Sequence, residues 1–245
     1  MQSLRPRAEL RDRVVSIELV ETAGGPVRIL PGTSAVLGFQ ARGRVRRDGE
    51  LLSAAGVTGI QGAARAYDYV GPTITVLVRF TPQGAACLGV PASELSDRSI
   101  PLDAILPRTP TRQALDRLAE ARGAQEQVTA IESFLVGLPY EPDPLIDRAI
   151  ALLGQDADYA RIAGVARTLA LSERQLERRF LKRVGITPKR FARLSRFERA
   201  VALARKTSSL AAAALDAGYY DQAHFNRDFR DFAGGAPSDV LRTVR

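Results

Sequence analysis

The chain has 245 residues, enough for two domains of ordinary size that each bury a core. One cysteine, Cys87, excludes an internal disulfide; one histidine, His224, excludes a multi-histidine metal site; no segment approaches the ~18 uninterrupted apolar residues of a membrane span. The formal net charge of +8 is lopsided, because residues 144–245 hold 19 Lys and Arg against 11 Asp and Glu while residues 1–143 balance to zero.

The N-terminus, MQSLRPRAELRDRVV, lacks an apolar stretch of signal-peptide length, and the expectation is a soluble, cytoplasmic protein. Up to about Leu106 the chain is rich in glycine and β-formers. Strands are expected around Ser34 to Phe39 and Thr73 to Phe80, where TITVLVRF alternates most clearly. Tyr67 and Tyr69, with Asp68 between them, fit an edge strand better than a pocket wall. Cys87, beside Leu88, reads as a small buried residue, and Asp97 and Asp103 fit loop caps as well as acid/base work. Pro101, Pro107 and Pro110 punctuate the exit from this part, after which helical patterns run over Thr111 to Ala121, Gln125 to Val136 and Pro144 to Leu153. The step LPYEPDP places a domain boundary at 143/144.

The last third holds a repeat. Ser172/Asp221, Leu176/Phe225, Arg178/Arg227, Phe180/Phe229, Gly185/Gly234 and Pro188/Pro237 share one offset of 49 residues. Each copy reads as a helix with a Ser or Asp N-cap, an apolar stripe at four-residue spacing, a glycine stop and a proline opening the next element. Arg178 and Arg227 lie two residues past a core position, about 200° around the axis, and therefore point outward. A short apolar segment precedes each copy, Ile162 to Ala170 and Leu210 to Ala217. Helix, tight turn, helix is the form of a helix-turn-helix, whose second helix lies in a DNA major groove; helical hairpins that only pack are the alternative.

Charge favours the first. Arg174, Arg178, Arg179, Lys182, Arg183, Lys189, Arg190, Arg193, Arg196 and Arg199 crowd into residues 173–199, where the acidic residues are Glu173, Glu177 and Glu198. Such a run seeks polyanion. Between the copies, Phe191, Leu194, Phe197, Val201 and Ala204 follow helical spacing, so one connecting helix is expected from Pro188 to Lys206, about 28 Å long.

The segment VARTLALSERQLERRFLKRVGITPKRFARLSRFERAV, followed by SLAAAALDAGYYDQAHFNRDFRDFAGGAPSDVLR, resembles the DNA-binding domain of AraC/XylS-type bacterial transcription regulators over about residues 150–243. GYYDQAHFNRDFRDFAGGAP is the specific part. The resemblance implies an α+β chain: a β-rich N-terminal sensor or dimerisation domain with a helical C-terminal part over 1–143, then an all-α DNA-binding domain over 144–245 with two helix-turn-helix units joined by a long helix. It implies groove-facing residues Arg174, Glu177 and Arg178 in the first unit, with Lys182 and Arg183 behind them. In the second unit it implies Gln222, His224 and Arg227, with Asn226 nearby. Arg pairs with guanine, Gln or Asn with adenine, and Glu with cytosine N4. The chain departs from the family pattern at Ala236, where Ser or Thr usually precedes the proline, and in the alanine-rich 211–214. VLVRFTPQGAACLGVPASELSDRSIPLDAIL resembles, more faintly, an uncharacterised domain often fused ahead of this module. Double-stranded DNA is the expected partner; an RNA polymerase contact, an unidentified small-molecule effector and a homodimer stay open, and no cofactor, metal or membrane is implied.

Two rival classes follow from the same residues. An enzyme would have to build a triad on His224, which lies in the second recognition helix, and Cys87 lies in the other putative domain. A non-specific DNA-bending or RNA-binding module would want exposed aromatic residues, whereas the phenylalanines here follow core spacing.

Overall fold

The computed structural model describes residues 2–155, 162–207 and 209–243. An antiparallel sheet occupies the first part of the chain, and the elements after residue 107 are helices, an α+β arrangement. The strands are β1 (Gln2–Leu4), β2 (Val14–Thr22), β3 (Gly25–Ile29), β4 (Val36–Arg47), β5 (Glu50–Leu51), β6 (Ala55–Thr58), β7 (Arg65–Phe80) and β8 (Ser99–Pro101). Their order is β1-β2-β7-β4-β6-β8, with β3 added to β7 and β5 to β4.

The alternation in TITVLVRF does what it predicts. Val76, Val78 and Phe80 are buried, with Val76 opposite Leu19 and Phe39, and Val78 opposite Ile17 and Leu37. β7 nevertheless starts eight residues earlier than the pattern indicated, and Tyr67 and Tyr69 are not on an edge. β3 covers them on one side (Val27↔Tyr67, Gly25↔Tyr69) and β4 on the other (Arg47↔Tyr67, Val45↔Tyr69). Gly71, at φ 69°, and Pro72 lie in β7 between the stretch that pairs with β3 and the stretch that pairs with β2. β4 likewise continues past Phe39 to Arg47 through a bulge at Arg42 and Gly43. There only glycine fits: φ is 78°, and a Cβ would lie 2.5 Å from Thr73 Oγ1.

One face of the sheet is roofed by the hairpin of α2 (Arg108–Glu120) and α3 (Ala124–Val136). Leu118, Val128, Ile131 and Leu135 meet Leu37, Phe39 and Val57 there, and Phe134 sits edge-on to Phe39 at 5.4 Å. A one-turn helix, α1 (Ala92–Leu95), puts Leu95 into the same core and packs against α6 (Glu173–Val184) of the helical part. Cys87 is buried in this core, and loss of solvent pushes its thiol up to about 12.

The helical part consists, among the described residues, of α4 (Pro144–Gln155), α5 (Ile162–Thr168), α6 (Glu173–Val184), α7 (Pro188–Ala204), α8 (Leu210–Asp216), α9 (Gln222–Ala233) and α10 (Pro237–Thr243). α7 runs through the middle. Its Phe191 meets Phe180 of α6 edge-on at 5.3 Å, and its Phe197 meets Phe229 of α9 at 5.3 Å, so both units share one core. α7 ends at Ala204, two residues short of the expected Lys206, because Lys206 N–H bonds back to Leu203 O in a tightened last turn. Ala213 and Ala214 of α8 are fully buried, so their smallness serves close approach to neighbouring helices. This second core begins at Leu145 and also takes Leu30 and Ile60 from the sheet part. No helix among the described residues is long and apolar enough to cross a membrane.

Candidate nucleic-acid interface

The first unit is α5, a turn through Ala170 (φ 54°), and α6. Ser172 accepts from Gln175 N–H at 3.2 Å and Gln175 Oε1 accepts from Ser172 N–H at 2.9 Å, a reciprocal cap that fixes where α6 begins. Leu176, Phe180 and Val184 are buried and fix its rotation. Arg174, Glu177, Arg178 and Lys182 are thereby exposed, and Arg183 is half-buried. In the second unit Asp221 accepts from His224 N–H at 2.7 Å, and Phe225, Phe229 and Phe232 are buried. Gln222 and Arg227 are exposed, whereas His224 and Asn226 are half-buried. His224 stands edge-on to the Tyr219 ring at 5.1 Å, so part of its imidazole serves packing. Ala223 and Arg230, four before and three after Arg227, are also exposed on this stripe. The residue spacing that selected Arg227 could have found them.

The cationic run divides by use. Arg179 binds Asp143 at 2.9 Å, Arg190 binds Asp97 at 2.9 Å, and Arg199 donates to Gly154 O at 2.8 Å. Arg193 binds Asp228 at 2.7 Å and also Asp231, while Arg196 is buried over the Tyr219 ring at 4.7 Å. These side chains are struts. The outward positive charge on α6 is Arg174, Arg178 and Lys182.

The sheet part holds the helical part through polar contacts at both units. Ser96 Oγ donates to Gly185 O at 2.6 Å at the end of α6, and Thr33 donates its N–H and Oγ to Glu198 of α7 at 2.9 and 2.7 Å. Ala64 N–H donates to Phe232 O at 2.7 Å, and Arg28 donates to Ala233 O at the end of α9. Asp97 is more than the loop cap expected: at φ 59° it accepts from Gly62 N–H as well as from Arg190. Burial raises its carboxyl pKa, but the Arg190 and Gly62 hydrogen bonds outweigh this and hold it below the ordinary value. Pro91 and Ser93, at the start of α1, line a shallow groove of about 380 Å³ with Arg174, Glu177, Arg178, Leu181 and Lys182. The outward stripe of α6 therefore borders the sheet part.

Two capped helix-turn-helix units on one connecting helix, each showing a polar stripe opposite a buried apolar face, have the form of a DNA-binding module. Residues 165–243 match the family model of a helix-turn-helix domain. An uncharacterised HTH-type transcriptional regulator of Escherichia coli strain K12, YidL, is 33% identical over 84 residues; the match covers 34% of this chain but only 28% of that protein. The C-terminal part of the chain therefore carries a helix-turn-helix domain. Over nearly the full length the fold is similar to that of ToxT from Vibrio cholerae. The 1.65 Å structure of ToxT superposes with a TM-score of 0.50 at 9% identity, covering 93% of this chain and 98% of that one. ToxT bound to an unsaturated fatty acid gives 0.51 at 10% identity over 95% and 96%. At such identities the likeness is one of fold alone.

Proposed function

We propose that this protein is a sequence-specific transcription regulator in which α6 and α9 read two adjacent major-groove segments of duplex DNA. The observation that supports it is the attachment of both outward stripes to α7 through paired phenylalanine contacts, Phe180–Phe191 and Phe197–Phe229. At ~1.5 Å per residue the 17 residues of α7 span about 25 Å, somewhat under the ~34 Å turn of B-DNA. Arg174, Arg178 and Arg227 suit guanine, Gln222 and Asn226 adenine, and Glu177 cytosine, with His224 beside them. Lys182 and Arg183 suit phosphates. Residues 144–245 form the DNA-binding domain in this reading, and residues 1–143 modulate it. The groove between Pro91, Ser93 and α6 supports that modulation, since a duplex seated on Arg174 and Arg178 would meet α1.

The test begins with selection of bound sequences from a random DNA pool using the full chain. The selected site should contain two unlike half-sites centred about 10 bp apart, because the units are joined head to tail. Affinity should fall steeply as salt rises. Inserting 5 bp between the half-sites turns one to the far face of the duplex and should reduce affinity towards that of one unit; unchanged affinity would show that only one unit reads DNA.

A further inference from the structure

The two units are not identical in their turns. The recognition helices repeat at 49 residues, yet the helices before them repeat at 48: Leu169 N–H bonds to Val165 O as Ala217 N–H bonds to Ala213 O, and Leu171 N–H to Ala166 O as Tyr219 N–H to Ala214 O. Ala170 and Gly218 hold the matching left-handed position, at φ 54° and 85°. Tyr219 therefore corresponds to Leu171, Asp221 corresponds to Ser172, and Tyr220 has no counterpart in the first unit.

That extra residue is held between two anchors. Tyr219 is 3% exposed, donates its hydroxyl to Asp228 at 3.1 Å and packs edge-on to Phe225 at 5.3 Å. Asp221 caps α9. With both neighbours fixed, the Tyr220 side chain is turned out and is 90% exposed, while all nine phenylalanines of the chain are buried. An exposed phenol fixed just ahead of a recognition helix lies where the duplex backbone passes as the helix N-terminus enters the groove. We infer that Tyr220 is a DNA-contact residue, its hydroxyl donating to one phosphate oxygen at the edge of the second half-site while its ring lies along the adjoining sugar. This inference rests on the DNA-reading function proposed above. The contact would set the depth and register of α9 without itself choosing a base. The first unit, lacking the residue, would have no equivalent clamp.

The experiment uses the full chain, the duplex it selects from a random pool, and the variants Tyr220→Phe and Tyr220→Ala. Both should melt with wild type, since the side chain touches no core. Tyr220→Phe should bind about tenfold more weakly, with an unchanged slope of log affinity against log salt, because no charge is removed. The loss should be the same when bases of the second half-site are changed. Neutral methylphosphonate walked along each strand should find one position where wild type loses about tenfold and Tyr220→Phe loses no more. A chain that selects no duplex overturns the DNA reading and this inference with it. A selected duplex that Tyr220→Phe binds as tightly as wild type overturns the inference alone. So does a loss confined to Tyr220→Ala, which would assign the ring to base stacking, or a loss that no single phosphate shares.

Discussion

Replacing Asp228 with alanine removes the carboxylate on which the polar interior of the second unit converges. Asp228 is 2% exposed, binds Arg193 Nε at 2.7 Å, accepts the Tyr219 hydroxyl at 3.1 Å and lies 4.0 Å from the equally buried Arg196. Breaking a buried ion pair costs about 3–5 kcal/mol, and because Arg193 is one-third exposed and keeps Asp231 the loss should lie towards the lower end of that range. The Tyr219 hydroxyl loses its acceptor in the same step, a cost of ~1–3 kcal/mol that overlaps the first and does not simply add. For a cooperative chain of this length, 3–5 kcal/mol corresponds to a melting point lower by about 6–20 °C. Asp228→Asn keeps an acceptor for Tyr219 and loses only the charge, so it should fall between alanine and wild type. Urea unfolding followed by circular dichroism should show a lower midpoint at unchanged slope. In a double-mutant cycle Arg193→Ala should couple to Asp228→Ala by more than ~1 kcal/mol. An Asp228→Ala chain within ~1 kcal/mol of wild type would refute the argument that this carboxylate organises the unit.

Phe180→Ala and Phe229→Ala should each destabilise by ~3–5 kcal/mol in the same assay, because both rings are fully buried against partners on α7. Arg178→Ala and Arg227→Ala should leave unfolding unchanged, as both are exposed, and should cost ~1–3 kcal/mol in binding the selected duplex by fluorescence anisotropy. Asp97 adds stability that depends on acid: with its folded pKa lowered, the contribution is present above the unfolded value of about 3.9 and is lost as pH falls through the folded pKa. The stability difference between wild type and Asp97→Asn should accordingly shrink below about pH 4, and a difference that stays constant down to pH 2 would count against the Arg190 pairing.

Local signals were legible where cause and effect lie within one or two helical turns. Ser172, Asp221, Gly185 and Gly234 could be read as caps and stops because the groups they satisfy are three or four residues away. The outward phase of Arg178 followed from Leu176 and Phe180 on the same helix. Partners distant in the chain were not legible. Arg179, Arg190 and Arg193 have the composition of a DNA-seeking surface, and only their ion pairs with Asp143, Asp97 and Asp228, up to 93 residues away, show that they are internal ties. Tyr67 and Tyr69 read as edge residues because the strand that covers them, β3, is only five residues, GPVRI, opens on Gly-Pro and is mostly exposed, so it carries no alternation of its own. The offset of 49 concealed a second offset of 48, since apolar identity marks core positions while backbone hydrogen bonds mark the turn.

Phe191 and Phe197 lie on a single helix, one packed against each unit, which makes the two helix-turn-helix units one cooperative body. Opening either one uncovers rings that the other depends on, so the amides at the centres of α6 and α9 should exchange with solvent at similar rates, set by one common opening event. Damage to the core under one unit is then felt at both. A substitution at Phe180, though it lies on α6, would weaken contacts across both half-sites together, whereas a substitution at an outward residue would be felt at one half-site alone.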